Sequence, residues 1–409
     1  MLNLVTFGVK IKKFKLTNAF LTMNKNIIYF DYAATTPLDP RVLKKMNPYL
    51  KEKFGNPGSP HSLGQQAKND LEKSRKIISQ IIKAEPEEII FTGSATESNN
   101  LALKGIAFLN FQKKKHIIVS AIEHDSILKP TQWLASQGWK ITKLAVDKFG
   151  LIRTEDLEKA ISKETVLVSI IHANNEIGTI EPIAEIGKIC KRKNVLFHTD
   201  ASQSFGKIPL DVKKMNIDLL TASSHKIYGP LGTGCLFIKK GVKIESLIHG
   251  GGQEFGLRSS TPNLPSIIGF AEAAKISQKS MIKESQRLIK LREKLIKGIL
   301  KSIPRSLLNG HPKKRLFNNI NFSFSFVEGE AIVAKLNTYG IAASTASACT
   351  SEKLEPSHVL LACGLKPQEA QGSLRISLGR WTKEKDIDFL LKVLPEIVKN
   401  LRKISPFKG

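Results

Sequence analysis

Beyond Met23 the chain alternates short apolar runs with longer stretches in which apolar residues return every three or four positions. The short runs predict strands and the longer ones amphipathic helices. Strands are expected over 27–30, 89–91, 116–120, 141–145, 166–171, 195–199, 218–221 and 234–238. Helices are expected over 40–51 and 65–82, near 97–108, 128–137, 154–161 and 183–193, and at 212–215. In the helix over 65–82, Ala67, Leu71, Ile77, Ile78, Ile81 and Ile82 recur at helical spacing. Residues 54–60 carry two prolines and two glycines and read as a loop.

Alternation of strand and helix predicts an α/β fold, with a mostly parallel seven-stranded sheet between helices. After it, a long charged helix is expected over 277–303, then a strand over 318–325 and a helix over 328–339. A polar stretch of small residues over 345–351 reads as a mobile loop, followed by a strand over 374–378 and a closing helix over 384–401. This pattern divides the chain into a large domain over 35–280 and a smaller α+β domain built from 23–34 and 281–409. Residues 1–22 form an N-terminal extension, and Met23 reads as the natural start.

Five polar residues share a position in this pattern. Thr96, His124, Asn175, Asp200 and Lys226 each follow the end of an expected strand by a few residues. Ligands of open α/β sheets bind outside the carboxyl ends of the strands, so five reactive side chains on one rim point to a site.

Composition narrows the class. The 409 residues are 41% hydrophobic and 24% charged, which reads as a globular enzyme, and no apolar run approaches the roughly 18 residues that a membrane span requires. The net charge is +27, but the lysines are spread along the chain without interleaved aromatics. That is a compositional bias and predicts no stable nucleic-acid complex. The four cysteines form no CxxC pair and the nine histidines no HxxxH pair, which argues against a disulfide framework and a structural metal site. A reduced, cytoplasmic setting is expected. Residues 1–22 hold Lys10, Lys12, Lys13 and Lys15 and no acid; were they a targeting segment, the setting would be an organellar matrix.

The chemistry gathers around Thr221-Ala-Ser-Ser-His-Lys-Ile-Tyr-Gly-Pro230, where Lys226 stands in a tight turn past a buried strand. An amine held there suits a Schiff base with pyridoxal phosphate (PLP), although a solvated surface lysine is the ordinary alternative. Residues 92–100 join a strand to a helix, and their backbone amides with the Ser94 and Thr96 hydroxyls make an anion cradle. The alternative there is a plain Ser/Thr helix cap with Glu97 in the first turn. Asp200 ends an apolar strand, where a carboxylate is costly unless it meets a cation such as a protonated pyridine nitrogen. His124 could stack on a ring or move protons, or be an ordinary loop histidine. Cys190, Cys235 and Cys363 sit on apolar segments and read as structural, whereas Cys349 lies among Ser, Ala and Thr, where an accessible thiol can ionise.

Several motifs coincide: Tyr29-Phe-Asp-Tyr-Ala-Ala-Thr-Thr-Pro37, Phe54-Gly-Asn-Pro57, Ala95-Thr-Glu-Ser98, Glu123-His124, Asn174-Asn-Glu-Ile-Gly178, His198-x-Asp-Ala-x-Gln203, Ser223-x-His-Lys-Ile-Tyr-Gly-Pro230 and Ser347-Ala-Cys-Thr-Ser351. Over about residues 27–406 the chain resembles the cysteine desulfurases of the housekeeping iron–sulfur type, within the PLP-dependent fold-type I, aminotransferase class V superfamily. The resemblance implies that Lys226 bonds PLP, Asp200 pairs with the pyridine nitrogen, and Gln203 meets the phenolic oxygen. His124 would stack on the ring and shuttle protons. Ala95, Thr96, Ser223 and His225 would hold the phosphate, joined by Thr261 from a partner subunit in a homodimer. Asn175 and Arg375 would hold the carboxylate of L-cysteine, and Cys349 would take its sulfur as a persulfide. The sulfur would pass to acceptors such as an iron–sulfur scaffold protein, whose bound cluster Cys349 could ligate, or tRNA-thiolation relay proteins. Two features depart from the family: the order Gly93-Ser94 is more often reversed, and many relatives carry a scaffold-docking tail past the point where Gly409 ends this chain. A selenocysteine lyase, a class V aminotransferase, a sulfur-relay platform with little turnover and an RNA-binding protein stand as alternatives.

Overall fold

The computed structural model describes residues 27–112, 115–345 and 355–406. In chain order it contains β1 (Ile28–Tyr29), α1 (Pro40–Lys51), α2 (Ser62–Ile82), β2 (Ile89–Thr92), α3 (Ala95–Leu109), β3 (His116–Ser120), α4 (Asp125–Ser136) and β4 (Lys140–Leu144). Then come α5 (Thr154–Ala160), β5 (Thr165–Ser169), α6 (Ile183–Lys193), β6 (Leu196–Asp200), β7 (Leu219–Ser223), β8 (Gly234–Ile238) and α7 (Leu264–Ser302). The remainder is β9 (Ser306–Leu308), β10 (Asn319–Phe324), α8 (Gly329–Thr338), β11 (Ile341–Ala342), α9 (His358–Ala362), α10 (Pro367–Gln371), β12 (Ser373–Ser377) and α11 (Glu384–Ile404).

Seven strands form one sheet in the order β2-β8-β7-β6-β5-β3-β4. β8 runs antiparallel to both neighbours, and the other pairings are parallel. Side chains alternate across the two faces as strand geometry requires. Ile118, Val168, Phe197 and Leu220 join a core with Ile78, Ile186 and Ile268 from α2, α6 and α7. Their neighbours Ile117, Val119, Leu167 and Leu219 face Leu101, Ile106, Ile127 and Leu134 from α3 and α4. Strands covered on both faces explain the uninterrupted apolar runs in the sequence.

A further core gathers Phe30, the sheet β12-β10-β9, and α8 and α11 around Leu288, Leu295 and Ile299 of α7. The same helix buries Ile267, Phe270 and Ala274 in the first core, and between Ser277 and Leu288 it buries nothing. β1 pairs in parallel with β11, and Ser377 donates its N–H to Phe30 O, which fastens the N-terminal segment to this second core.

The structure changes some of the expected elements. The stretch at 212–215 is a turn, not a helix: Ile217 N bonds back to Val212 O and Asn216 adopts φ 51°, closing a single turn too short to propagate. The helix expected over 277–303 begins thirteen residues earlier, capped by Asn263 with Pro265 in its first turn. The helix expected from 128 starts at Asp125, with His124 as its N-cap. The stretch over 346–354, with Cys349, lies outside the described residues.

Candidate active site

The carboxyl ends of β2, β3, β5, β6 and β7 lie on one edge of the sheet, and Thr96, His124, Asn175, Asp200 and Lys226 stand at or just past those ends. Lys226 closes a short 3-10 turn, Ser224–Lys226. Its Nζ donates to Ala33 O (2.7 Å) and Ala34 O (2.6 Å). The segment over 31–37 therefore lies across the lysine turn. It is held there by Thr36, whose Oγ1 donates to His225 O and accepts from Tyr228 N. Gln203 reaches the same segment through Nε2 and Ala33 O (2.8 Å).

Asp200 is buried, and among the described residues its hydrogen bonds come from neutral donors. Asn99 Nδ2 donates to Oδ2 (2.8 Å) and Ser202 N to Oδ1 (2.8 Å). His124 accepts at Nδ1 from Ser126 N (3.1 Å) and lies 2.8 Å from Ser126 Oγ. Burial, with some help from Lys226, lowers the His124 pKa, against the raising pull of Asp200.

At the start of α3 the order Gly93-Ser94 has a definite consequence. Ser94 Oγ caps the helix by accepting from Glu97 N (3.1 Å), and the Glu97 carboxylate takes Gly93 N–H (2.8 Å) and Arg258 (2.8 Å). The capping alternative is thus realised for the Ser94 oxygen. The first-turn amides of Ala95 and Thr96 have no intrahelical acceptor and remain for an anion. Gly234 lets this helix start approach the sheet: a Cβ there would stand 3.0 Å from Ser94 C and 3.1 Å from Ala95 N. His225 Nδ1 lies 3.1 Å from Thr35 Oγ1, and burial with Lys226 and Lys207 nearby lowers its pKa to about 4. With that pKa it is a neutral hydrogen-bonding group near pH 7.

Arg375 lies on β12 and bridges to Asp31 (2.9 Å), while its Nη1 donates to Asn175 O (3.3 Å) and its buried Nε has no hydrogen-bond partner. Thr261 is exposed, on a loop anchored upstream by the Arg258–Glu97 pair and by Glu254, buried against Arg75 (2.7 Å). Burial pushes the thiols of Cys190, Cys235 and Cys363 up to about 12, which removes all three as nucleophiles.

The residues present fit pyridoxal phosphate. A buried carboxylate with only neutral hydrogen-bond donors among the described residues, two open helix amides and a lysine amine share one rim, and Arg375 reaches it from β12 with one guanidinium nitrogen unpartnered among the described residues. Sequence reasoning missed the supporting groups: Asn99, Ser126, Asp31, Thr35, Lys207 and Glu123. Lys207 is buried with its Nζ 3.4 Å from Gln203 Oε1, and burial lowers its amine to about 7. Glu123 is buried with Oε1 accepting from Ser120 Oγ (2.6 Å) and Ile171 N (2.7 Å), and desolvation lifts its pKa to about 8. A polar residue inside an apolar run was the signal at Asp31, between Phe30 and Tyr32, whereas Asn99 lies in the polar stretch 96–100 and carried none.

Residues 28–390 match the aminotransferase class-V family. The chain is 50% identical to the cysteine desulfurase IscS of Methanosarcina thermophila over 385 residues, which is 94% of this chain and 95% of that one. A solved NifS-like protein superposes with TM-score 0.87 at 39% identity, covering 92% of this chain and all of the other. A structure of SspA in complex with cysteine superposes with TM-score 0.77 at 38% identity, over 86% and 98% of the two chains.

Proposed function

This chain belongs to the aminotransferase class-V family, and on that premise we propose that it is a PLP-dependent cysteine desulfurase that takes sulfur from L-cysteine for iron–sulfur cluster assembly. The observation that carries the reading is Asp200: a buried carboxylate served, among the described residues, by neutral donors, on the same sheet edge as Lys226. Such a group calls for a cation, and the ring nitrogen of pyridoxal phosphate supplies one. When bound, the cofactor provides an electron sink beside the substrate Cα.

The chain's own residues take the following parts. Lys226 supplies the amine for the cofactor aldehyde and Gln203 meets the phenolic oxygen. Ala95, Thr96, Ser223 and His225 hold the phosphate, the histidine as an uncharged donor. Arg375 and Asn175 hold the substrate carboxylate, and the Asp31 pair keeps the guanidinium in place. His124 covers the ring and exchanges protons at the substrate. The Cys349 thiolate attacks the substrate sulfur: an S–S bond forms, the Cβ–S bond breaks, and the electron pair stays with the carbon. Protonation of that carbon yields L-alanine and leaves a persulfide on Cys349. The high thiol pKa values of the other three cysteines support this assignment by elimination.

The persulfide passes to an acceptor protein, with an iron–sulfur scaffold and tRNA-thiolation relay proteins as the finer reading. A second copy of the chain completes the site, Thr261 reaching the partner's cofactor phosphate; its exposure on an anchored loop supports this. The division into domains over 35–280 and 281–409, with 23–34 joined to the latter, belongs to the same reading, as does a reduced, cytoplasmic setting. Among the described residues no helix is long and apolar enough to cross a membrane.

The test is release of alanine and sulfide from L-cysteine under a reductant, in wild type and Cys349→Ala. Equal release of both products by wild type, and neither by a variant that keeps its cofactor absorbance, is expected. Equal activity of the two proteins would overturn the role of Cys349 and turn attention to transamination.

A further inference from the structure

Four hydrogen-bonding residues from three elements form one chain that joins Asp200, the group expected at the ring nitrogen, to His124, the group expected over the ring. Asp200 ends β6, Asn99 lies in the second turn of α3, Ser126 is in the first turn of α4, and His124 caps α4. Asn99 and Ser126 are both buried. Asn99 Nδ2 lies 2.8 Å from Asp200 Oδ2 and 2.8 Å from Ser126 Oγ, and Ser126 Oγ lies 2.8 Å from His124 Nδ1.

The direction of every bond in this chain is determined. A carboxylate only accepts, so Asn99 must present its NH2 to Asp200 and, with the second proton, to Ser126 Oγ. The backbone N–H of Ser126 points at His124 Nδ1, so Nδ1 is an acceptor. Because Nδ1 accepts, the Ser126 hydroxyl, which accepts from Asn99, gives its own proton to the same nitrogen. The ring proton of neutral His124 then sits on Nε2, which has no hydrogen-bond partner among the described residues. His124 also lines an open cleft with Thr96 and Trp133.

We infer that Asn99 and Ser126 are positioning residues that hold His124 as its Nε2–H tautomer, tie its orientation to Asp200, and confine its proton exchange to Nε2. The inference rests on the desulfurase reading for its catalytic meaning, but the tautomer is a property of the protein alone. Protonation at Nδ1 would set that proton against two donors, so the network also resists the imidazolium. Among the described residues the other charged and titratable groups around His124 are Asp200, Lys226, Asp125 and His358, with Lys104 and Lys129 lining the same cleft. None of them contacts Nδ1.

The experiment is ring 15N NMR of histidine-labelled, full-length protein with and without pyridoxal phosphate, His124 being assigned with His124→Gln. At pH 7.5, wild type is expected to carry the His124 proton on Nε2. Ser126→Ala and Asn99→Ala should each populate the Nδ1–H form and move the His124 titration upward by about one unit. Ser126→Thr, which keeps the hydroxyl, should restore the wild-type tautomer. The acidic limb of kcat/KM should move with the titration. A wild-type His124 with its proton on Nδ1 overturns the inference. So do alanine variants that take up cofactor normally yet keep the wild-type tautomer and titration. Failure of wild type to develop cofactor absorbance would instead overturn the desulfurase reading, and the tautomer of the unloaded protein would still decide the inference.

Discussion

At the scale of single residues, burial rather than charge pairing sets the site's ionisation. Glu123 and Glu181 are both lifted by desolvation to about 8, and each leaves one carboxyl oxygen without a partner. A folded-state pKa above the ordinary value near 4.5 means that folding holds a proton that the unfolded chain releases. Their contribution is therefore fully present below about pH 4.5 and is lost as pH rises towards 8. Glu123→Gln is expected to match wild type in urea stability at pH 5 and exceed it at pH 8.5 by on the order of 3 kcal/mol. His172 and His198 act in the other direction: burial lowers both to about 4, so their contribution is lost as pH falls from about 6.5 through 4. Between pH 6.5 and 8 only the carboxyl groups among these four act, and urea midpoints measured across that range should fall with pH. A Glu123→Gln protein whose advantage is equal at both pH values would refute the account.

At the scale of elements, the site depends on how closely the start of α3 can approach the sheet. Gly234 on β8 would, with a Cβ, meet Ala222 O at 2.8 Å as well as the backbone of Ser94 and Ala95. Gly234→Ala should push the first turn of α3 away from the rim, and overpacking of this kind costs about 1–3 kcal/mol. Affinity for pyridoxal phosphate, read by fluorescence or absorbance titration, is expected to fall by at least about tenfold while the β8 pairing survives. Unchanged affinity would mean that the first-turn amides do not hold the phosphate. The same element scale shows where sequence reading worked. α6 and β3 fall within their expected limits because apolar periodicity is strong there. The turn at 212–215 was misread because its spacing matches a helix that has no room to extend.

At the scale of the whole molecule, a few ion pairs connect segments far apart in the chain. Arg380 reaches Asp39 (2.6 Å) and Glu284 (3.1 Å), and its guanidinium lies 4.1 Å from the Tyr228 ring centroid. These contacts join the turn after β12, the start of α1 and the middle of α7, beside the lysine turn. Arg380→Ala leaves the buried Asp39 with Arg41 alone and Glu284 without its cation, a loss expected to cost about 3 kcal/mol. The expected result is a lower thermal midpoint together with weaker cofactor retention. A fall in stability with cofactor retention unchanged would show that the network does not support the lysine turn.

The α/β class, the order of the elements and the rim positions of Thr96, His124, Asn175, Asp200 and Lys226 are legible along the chain. They depend on local periodicity and on where a strand must end, both written in short windows. The resemblance carried by the motifs added which chemistry those residues perform. The partners of those residues were not legible. Asp31 meets Arg375, Asn99 meets Asp200, and Ala33 and Ala34 receive Lys226, across separations of about a hundred residues or more. No window of sequence contains both members of such a pair. Sheet order, the crossing of the 31–37 segment over the lysine turn, and the desolvation that shifts Glu123 and His225 all arise only when distant elements pack, because burial and hydrogen-bond direction are properties of that packing.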